Sequence, residues 1–132
     1  MAKRKANPKK RLRDEADRLW HLACLKKWGN RCFFTGQIAD KCHHFYPKSN
    51  YAHLRYDIDN GVPIIWPQHY KLENYDKSME AEIAMKRGKV WYNKLKKKAL
   101  NRPEGSFLTT AWFKSHILKL QEYLNETNLQ KL

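Results

Sequence analysis

The sequence predicts a single α+β domain in which a short hairpin is enclosed by helices. Three observations carry this expectation. A length of 132 residues is that of one domain. Apolar residues recur at helical spacing near the start of the chain and again through its second half. Between these stretches lie two short extended runs, separated by turn-forming residues. Apolar side chains make up 42% of the chain, enough for a modest core.

The elements follow in order. Residues 1–10, beginning "MAKRKANPKK", are basic, contain Pro8 and lack periodicity, and read as a flexible arm; residues 11–132 form the domain. From Arg11 to Trp28 the apolar positions Leu12, Ala16, Leu19, Trp20, Ala23 and Cys24 mark a helix. Gly29-Asn30 ends it with residues that tolerate a left-handed backbone. Cys32-Phe33-Phe34 is a short apolar run before a Thr35-Gly36 turn. Lys41 to Tyr46 reads as extended, and Pro47 stops it. Ser49 to Arg55 reads as a loop, and Asp57 and Asp59 supply turn chemistry. "GVPIIW", Gly61 to Trp66, is a β-branched strand whose Pro63 suggests an edge. Pro67 suits the first turn of a helix carrying Gln68, His69, Leu72 and Glu73. The C-terminal part, 78–129, is helical: Ser78 to Arg87, Val90 to Leu100, and a last helix capped by Thr109 or Thr110.

Charge narrows the function. The chain carries 27 Lys and Arg against 13 Asp and Glu, a formal charge of +14, and its pI is near 9.8. Self-repulsion on that scale is tolerated when a polyanion is the partner, and nucleic acid is the commonest. A membrane partner is disfavoured, because no stretch approaches the roughly 20 apolar residues of a span. The block "KRGKVWYNKLKKK", Lys86 to Lys98, is either a solvated helix face or a phosphate-tracking surface on which Trp91 and Tyr92 stack bases. Three cysteines, Cys24, Cys32 and Cys42, make no disulfide framework and no CxxC knuckle. With no apolar leader at the N-terminus, the expectation is a reduced, intracellular protein.

The informative constellation is the run strand, loop, strand, helix between His43 and Glu73. His43-His44 lies on the first strand, Asn60 opens the second, and His69 follows on the helix, nine positions after Asn60. Phosphodiester cleavage needs a base that works near neutral pH, for which imidazole is suited. It also needs charge neutralised on phosphorus, for which a divalent cation is suited. Neighbouring histidines on a strand point to opposite sides, but at a strand end they can straddle one phosphate. An Asn on the returning strand can hold either the base's imidazole or the loop. Taken singly, His21, His53 and His116 read as ordinary surface or core residues.

The stretch "HHFYPKS…LRYDIDNGVPIIWPQHYKLE" resembles the active site of the HNH, or ββα-metal, endonuclease superfamily, with the paired His of colicin DNases. Within the superfamily it is most similar to the NinG/Rap-like recombination nucleases of lambdoid phages, through "CFFTG", His44-Phe45, "LRYDIDN" and the helix from Pro67. The resemblance covers about half the chain, from Arg31 to Leu95, with a motif core at 31–77. It implies a ββα-metal core with surrounding helices and a metal-dependent DNA endonuclease. His44 is then the general base, and His43 and His69 are the metal ligands. Asn60 is the central Asn, and Arg55 contacts the phosphate, with Lys48 as a weaker candidate. Glu73 stands where colicin-type sites add a ligand. Arg55 has a second reading, as the ion-pair partner of Asp57 or Asp59.

The implied cofactor is a divalent ion, magnesium first, with manganese, nickel or zinc also suited to imidazole. The implied products carry 5′-phosphate and 3′-hydroxyl ends. The implied substrate is branched DNA such as a Holliday junction, cut symmetrically by a homodimer in the host cytoplasm of a phage. The chain departs from the family in lacking CxxC knuckles. No structural zinc is expected, and Phe33, Phe34, Ile64, Ile65 and Trp66 are expected to pack in its place. Two alternatives stay open: a sequence-tolerant nicking or homing-type endonuclease, and a non-catalytic basic DNA-binding module.

Overall fold

The computed structural model describes residues 7–73 and 77–130, with the side chains of 7–69 and 77–125. Helix α1, Pro8–Trp28, starts earlier than periodicity suggested, inside the stretch expected to be a flexible arm. The cause is local. The Asn7 side chain accepts a hydrogen bond from the Lys9 amide at 3.0 Å, and Pro8 brings a preset φ to a position that needs no amide donor. The helix stops at Gly29, whose φ of 89° is open to glycine.

A two-stranded antiparallel sheet follows, β1 Lys41–His44 against β2 Gly61–Ile64, pairing His43 with Val62 and His44 with Gly61. Pro63 fits because its missing N–H would face away from β1, and its carbonyl on that outer side accepts from the Phe33 amide at 2.9 Å. Both strands are shorter than expected. β1 ends when the Tyr46 amide turns to the side chain of Asn60. β2 ends when the chain enters helix α2, Trp66–Glu73, whose first amide donates to Asp40 Oδ2 at 3.0 Å. Trp66 is thereby 60% exposed rather than packed in the core. The other expected residues do pack: Phe33, Phe34 and Ile65 close over Cys32, Val62, Ile64, Met79 and Ile83.

Helix α3, Lys77–Arg87, supplies Met79 and Ile83 to that cluster. Helix α4, Lys89–Leu100, sets Leu95 and Ala99 against Leu54. Helix α5, Thr110–Gln130, begins where Thr109 Oγ1 accepts from the Trp112 amide at 3.2 Å. It packs Phe113 and Leu120 on the buried stripe of α1: Ala16, Leu19, Trp20, Ala23 and Cys24. The fold is therefore mixed helix and strand, with α1 lying between α5 on one side and the hairpin on the other. Among the described residues no helix is long and apolar enough to cross a membrane.

Candidate functional site

The run Asp57 to Gly61 is built before the site can be. Its backbone makes two tight turns and enters the core, so its carbonyls must find donors. Three indole N–H groups supply them. Trp20 donates to Asp57 O at 2.9 Å, Trp28 to Ile58 O at 3.0 Å and Trp91 to Asp59 O at 2.9 Å. Arg87 Nη1 donates to Gly61 O at 2.8 Å and stacks on Trp28. Burial lowers the Arg87 pKa to about 10, which leaves it cationic at neutral pH. Trp91 thus has a structural role through its indole N–H. Asp57 accepts from the Asp59 amide at 2.9 Å, which confirms its turn role, and pairs with Lys98. Burial alone would raise the Asp59 carboxyl. The bond from Lys27 and the charges of Lys27, Lys98 and Lys94 bring it below its usual value. Three cations of the Lys86 to Lys98 block, Arg87, Lys94 and Lys98, therefore serve the turn.

Asn60 is fully buried. Its Oδ1 accepts from the Tyr46 amide at 2.7 Å, and its Nδ2 donates to Tyr46 O at 3.1 Å and Leu54 O at 3.4 Å. Of its two expected uses, the structure shows the second: Asn60 holds the loop and is a positioning residue. Gly61 is needed for a close approach, since a Cβ there would collide with Cys24 Sγ and crowd the Trp20 ring.

This frame fixes the two histidines of β1 on opposite sides, as strand alternation requires. The His44 ring stacks on Trp20 of α1, with centroids 4.0 Å apart and planes within 3°. Its Nε2 lies 3.0 Å from Arg55 O. A carbonyl only accepts, so Nε2 carries the proton and Nδ1 keeps its lone pair. Burial is the chief cause that lowers the His44 pKa to about 4; the Arg55 bond opposes this, and the charges of Lys48 and Arg55 reinforce it. His43 faces the other way, toward α2. Its ring centre lies 5.2 Å from that of His69, at 69°. Burial, then the neighbouring His69, His44 and Lys41, lower its pKa to about 3. Both imidazoles of β1 are therefore neutral at pH 7.

The two histidines and His69 line one cleft of about 570 Å³, together with Lys41, Lys48 and His21. The donors fit a cation. A metal about 2.0–2.1 Å from each ring nitrogen lies about 3 Å from each ring centre, so two imidazoles sharing it at a tetrahedral angle have centres about 5 Å apart. His43 and His69 meet that spacing, and neutral imidazole is the ligating form. Among the described residues no set of three or more His, Cys, Asp or Glu side chains converges into a fuller shell. The pair would leave the remaining positions to water and phosphate oxygens. The side chain of Glu73, considered as a further ligand, lies outside the described residues.

Arg55 departs from its expected place. Its Nε and Nη2 donate to the two oxygens of Asp17 at 2.9 and 2.8 Å, and its side chain is absent from the cleft lining. Its partner is neither a phosphate nor Asp57 or Asp59, but an acid on α1. The contribution of Arg55 to the site is its carbonyl, which sets the His44 tautomer. Lys48 does line the cleft. Sequence reasoning missed Asp17 and His21. They sit four residues apart beside the buried stripe of α1, so a helical projection places them at the edge of its packed face. Nothing in the sequence shows that this edge meets the hairpin. Comparison with protein-family models, curated proteins and solved structures finds no match to this chain.

Proposed function

We propose that the protein is a metal-dependent endonuclease that hydrolyses DNA phosphodiester bonds in this cleft, built on a ββα-metal core formed by β1, β2 and α2. The observation that carries the reading is the division of labour between adjacent histidines. His44 is held as a neutral imidazole with Nδ1 free, the state a general base needs. His43 and His69 face each other at the separation two ligands of one cation would have. The cation, when bound, would supply Lewis-acid stabilisation of charge on the phosphoryl group. Nitrogen donors suit manganese, nickel or zinc better than magnesium, which favours oxygen. Lys41 and Lys48 at the cleft, on a chain of charge +14, suit a polyanionic substrate. Asn60 and Arg55 act behind the base by fixing the loop and the His44 tautomer.

The substrate we favour is branched DNA, cut at paired positions by a dimer. The test is incubation of labelled four-way junctions and linear duplex with manganese, zinc or magnesium, with a chelator control. The expected result is metal-dependent cutting that leaves 5′-phosphate ends, with symmetric cuts at the junction. Equal cutting of both substrates would keep the chemistry and remove the junction preference. Tight binding without cutting under every metal would instead establish the non-catalytic DNA-binding module.

A further inference from the structure

Hydrolysis in this cleft has one further chemical need. When the P–O3′ bond breaks, the departing oxygen must gain a proton. His44 is there to remove one, and His43 and His69 are assigned to a cation. A fourth imidazole lines the same cleft from a different element. His21, on α1, places Nδ1 2.9 Å from Asp17 O, the carbonyl one helical turn before it. A carbonyl only accepts, so Nδ1 carries a proton, and Nε2 is the ring nitrogen left to meet a ligand.

The same residue orients both imidazoles. The Asp17 carboxylate grips Arg55, whose carbonyl fixes His44, while the Asp17 carbonyl fixes His21. Trp20 spaces them, with His44 stacked on its face at 4.0 Å and His21 perpendicular to it at 5.2 Å. Two imidazoles that line one cleft from different elements, each with one ring nitrogen bonded to a carbonyl and the other left to act, can serve opposite ends of one displacement.

We propose that His21 is a catalytic residue, the general acid that protonates the leaving 3′ oxygen; this rests on the nuclease reading. His44 Nδ1 takes a proton from water as the water oxygen bonds to phosphorus. The P–O3′ bond breaks, its electron pair stays on O3′, and a proton taken from solvent onto His21 Nε2, with Nδ1 still bonded to Asp17 O, passes to O3′ and completes the 3′-hydroxyl. Solvent then restores both histidines.

The test compares wild type with His21→Asn, whose amide can keep the bond to Asp17 O but cannot donate a proton in this way. Each is given ordinary DNA and DNA with sulfur in place of the scissile 3′ oxygen, because a thiolate leaves without protonation. On ordinary DNA the variant should be slower by about 10²–10⁴-fold, and on the sulfur substrate it should match wild type. That match also shows that the variant folds and binds; His21→Ala gives a second comparison, with thermal unfolding as the check on folding. Equal slowing on both substrates in a folded variant would make His21 a binding or structural group and overturn the proposal. An unimpaired variant would overturn it too. Wild type that cuts neither substrate would overturn the nuclease reading itself and this inference with it.

Discussion

Asn60→Asp changes one nitrogen to oxygen in a fully buried side chain, and its cost can be worked from the three bonds that side chain makes. The acceptor bond from the Tyr46 amide survives. The two donated bonds, to Tyr46 O and Leu54 O, would become contacts between a carboxylate and two carbonyls. The variant escapes that repulsion by protonating. One O–H then restores one bond and the other is lost, at about 1 kcal/mol. Holding the acid neutral at pH 7 against an unfolded pKa of about 3.9 costs a further 4 kcal/mol or so. The total penalty is about 5 kcal/mol at pH 7. At pH 5 the protonation cost falls to about 1.5 kcal/mol, leaving about 2.5. The sign follows from a raised folded pKa on an acid, for which the penalty grows with pH. Urea unfolding of wild type and variant at each pH reads the difference. A difference between variant and wild type at the same pH of about 5 kcal/mol at pH 7 and about 2.5 at pH 5 meets the expectation. A penalty below about 1 kcal/mol at pH 7, or one that does not change with pH, would refute the account of Asn60 as the donor that holds the loop.

Other consequences are as direct. The metal-free protein should itself lose stability on acidification. The folded pKa values of His43 and His44, about 3 and about 4, lie below that of an unfolded His, so the unfolded chain gains protons first. Their contribution is complete above about pH 6.5 and shrinks by about 2 kcal/mol per imidazole by pH 5. Urea midpoints measured in chelator should show that fall, and His44→Gln should reduce it. Gly61→Ala should destabilise by about 1–3 kcal/mol through overpacking, with part of the loss recovered by Cys24→Ala, because Cys24 Sγ is the atom in the way; thermal unfolding of the double variant checks this. His69→Ala should weaken manganese or zinc binding at least about 10-fold in titration calorimetry, and unchanged affinity would remove His69 from the metal site.

How much of this was legible in the sequence depends on the range of the interaction. The helices were visible because their apolar stripes are local patterns, and the errors fell at their ends. The start of α1 was hidden because Asn7-Pro8, a cap signature, lies within a basic run that looked like an arm. The end of β2 was hidden because an Asp40 side chain, distant in sequence, receives the Trp66 amide. The histidines of the hairpin and α2 could be singled out because their spacing is short and their chemistry distinctive. The role of Arg55 could not, since its partner Asp17 is 38 residues away and its contribution is a backbone carbonyl. Trp20 reads as a core position of the first helix, Trp28 only as its last residue and Trp91 as a candidate platform for bases, yet each indole donates to a carbonyl of one turn. His21 looked like a surface residue because its neighbours across the cleft come from the hairpin and α2.

The central claim is that His44 activates water while taking no essential part in holding DNA. Single-turnover cleavage by wild type and His44→Ala, at matched saturation of DNA and with the metal that supports wild-type cutting, tests it most directly. The account predicts a rate lower by at least about 10²–10⁴-fold with the bound fraction unchanged. A His44→Ala protein that cuts at the wild-type rate would contradict it.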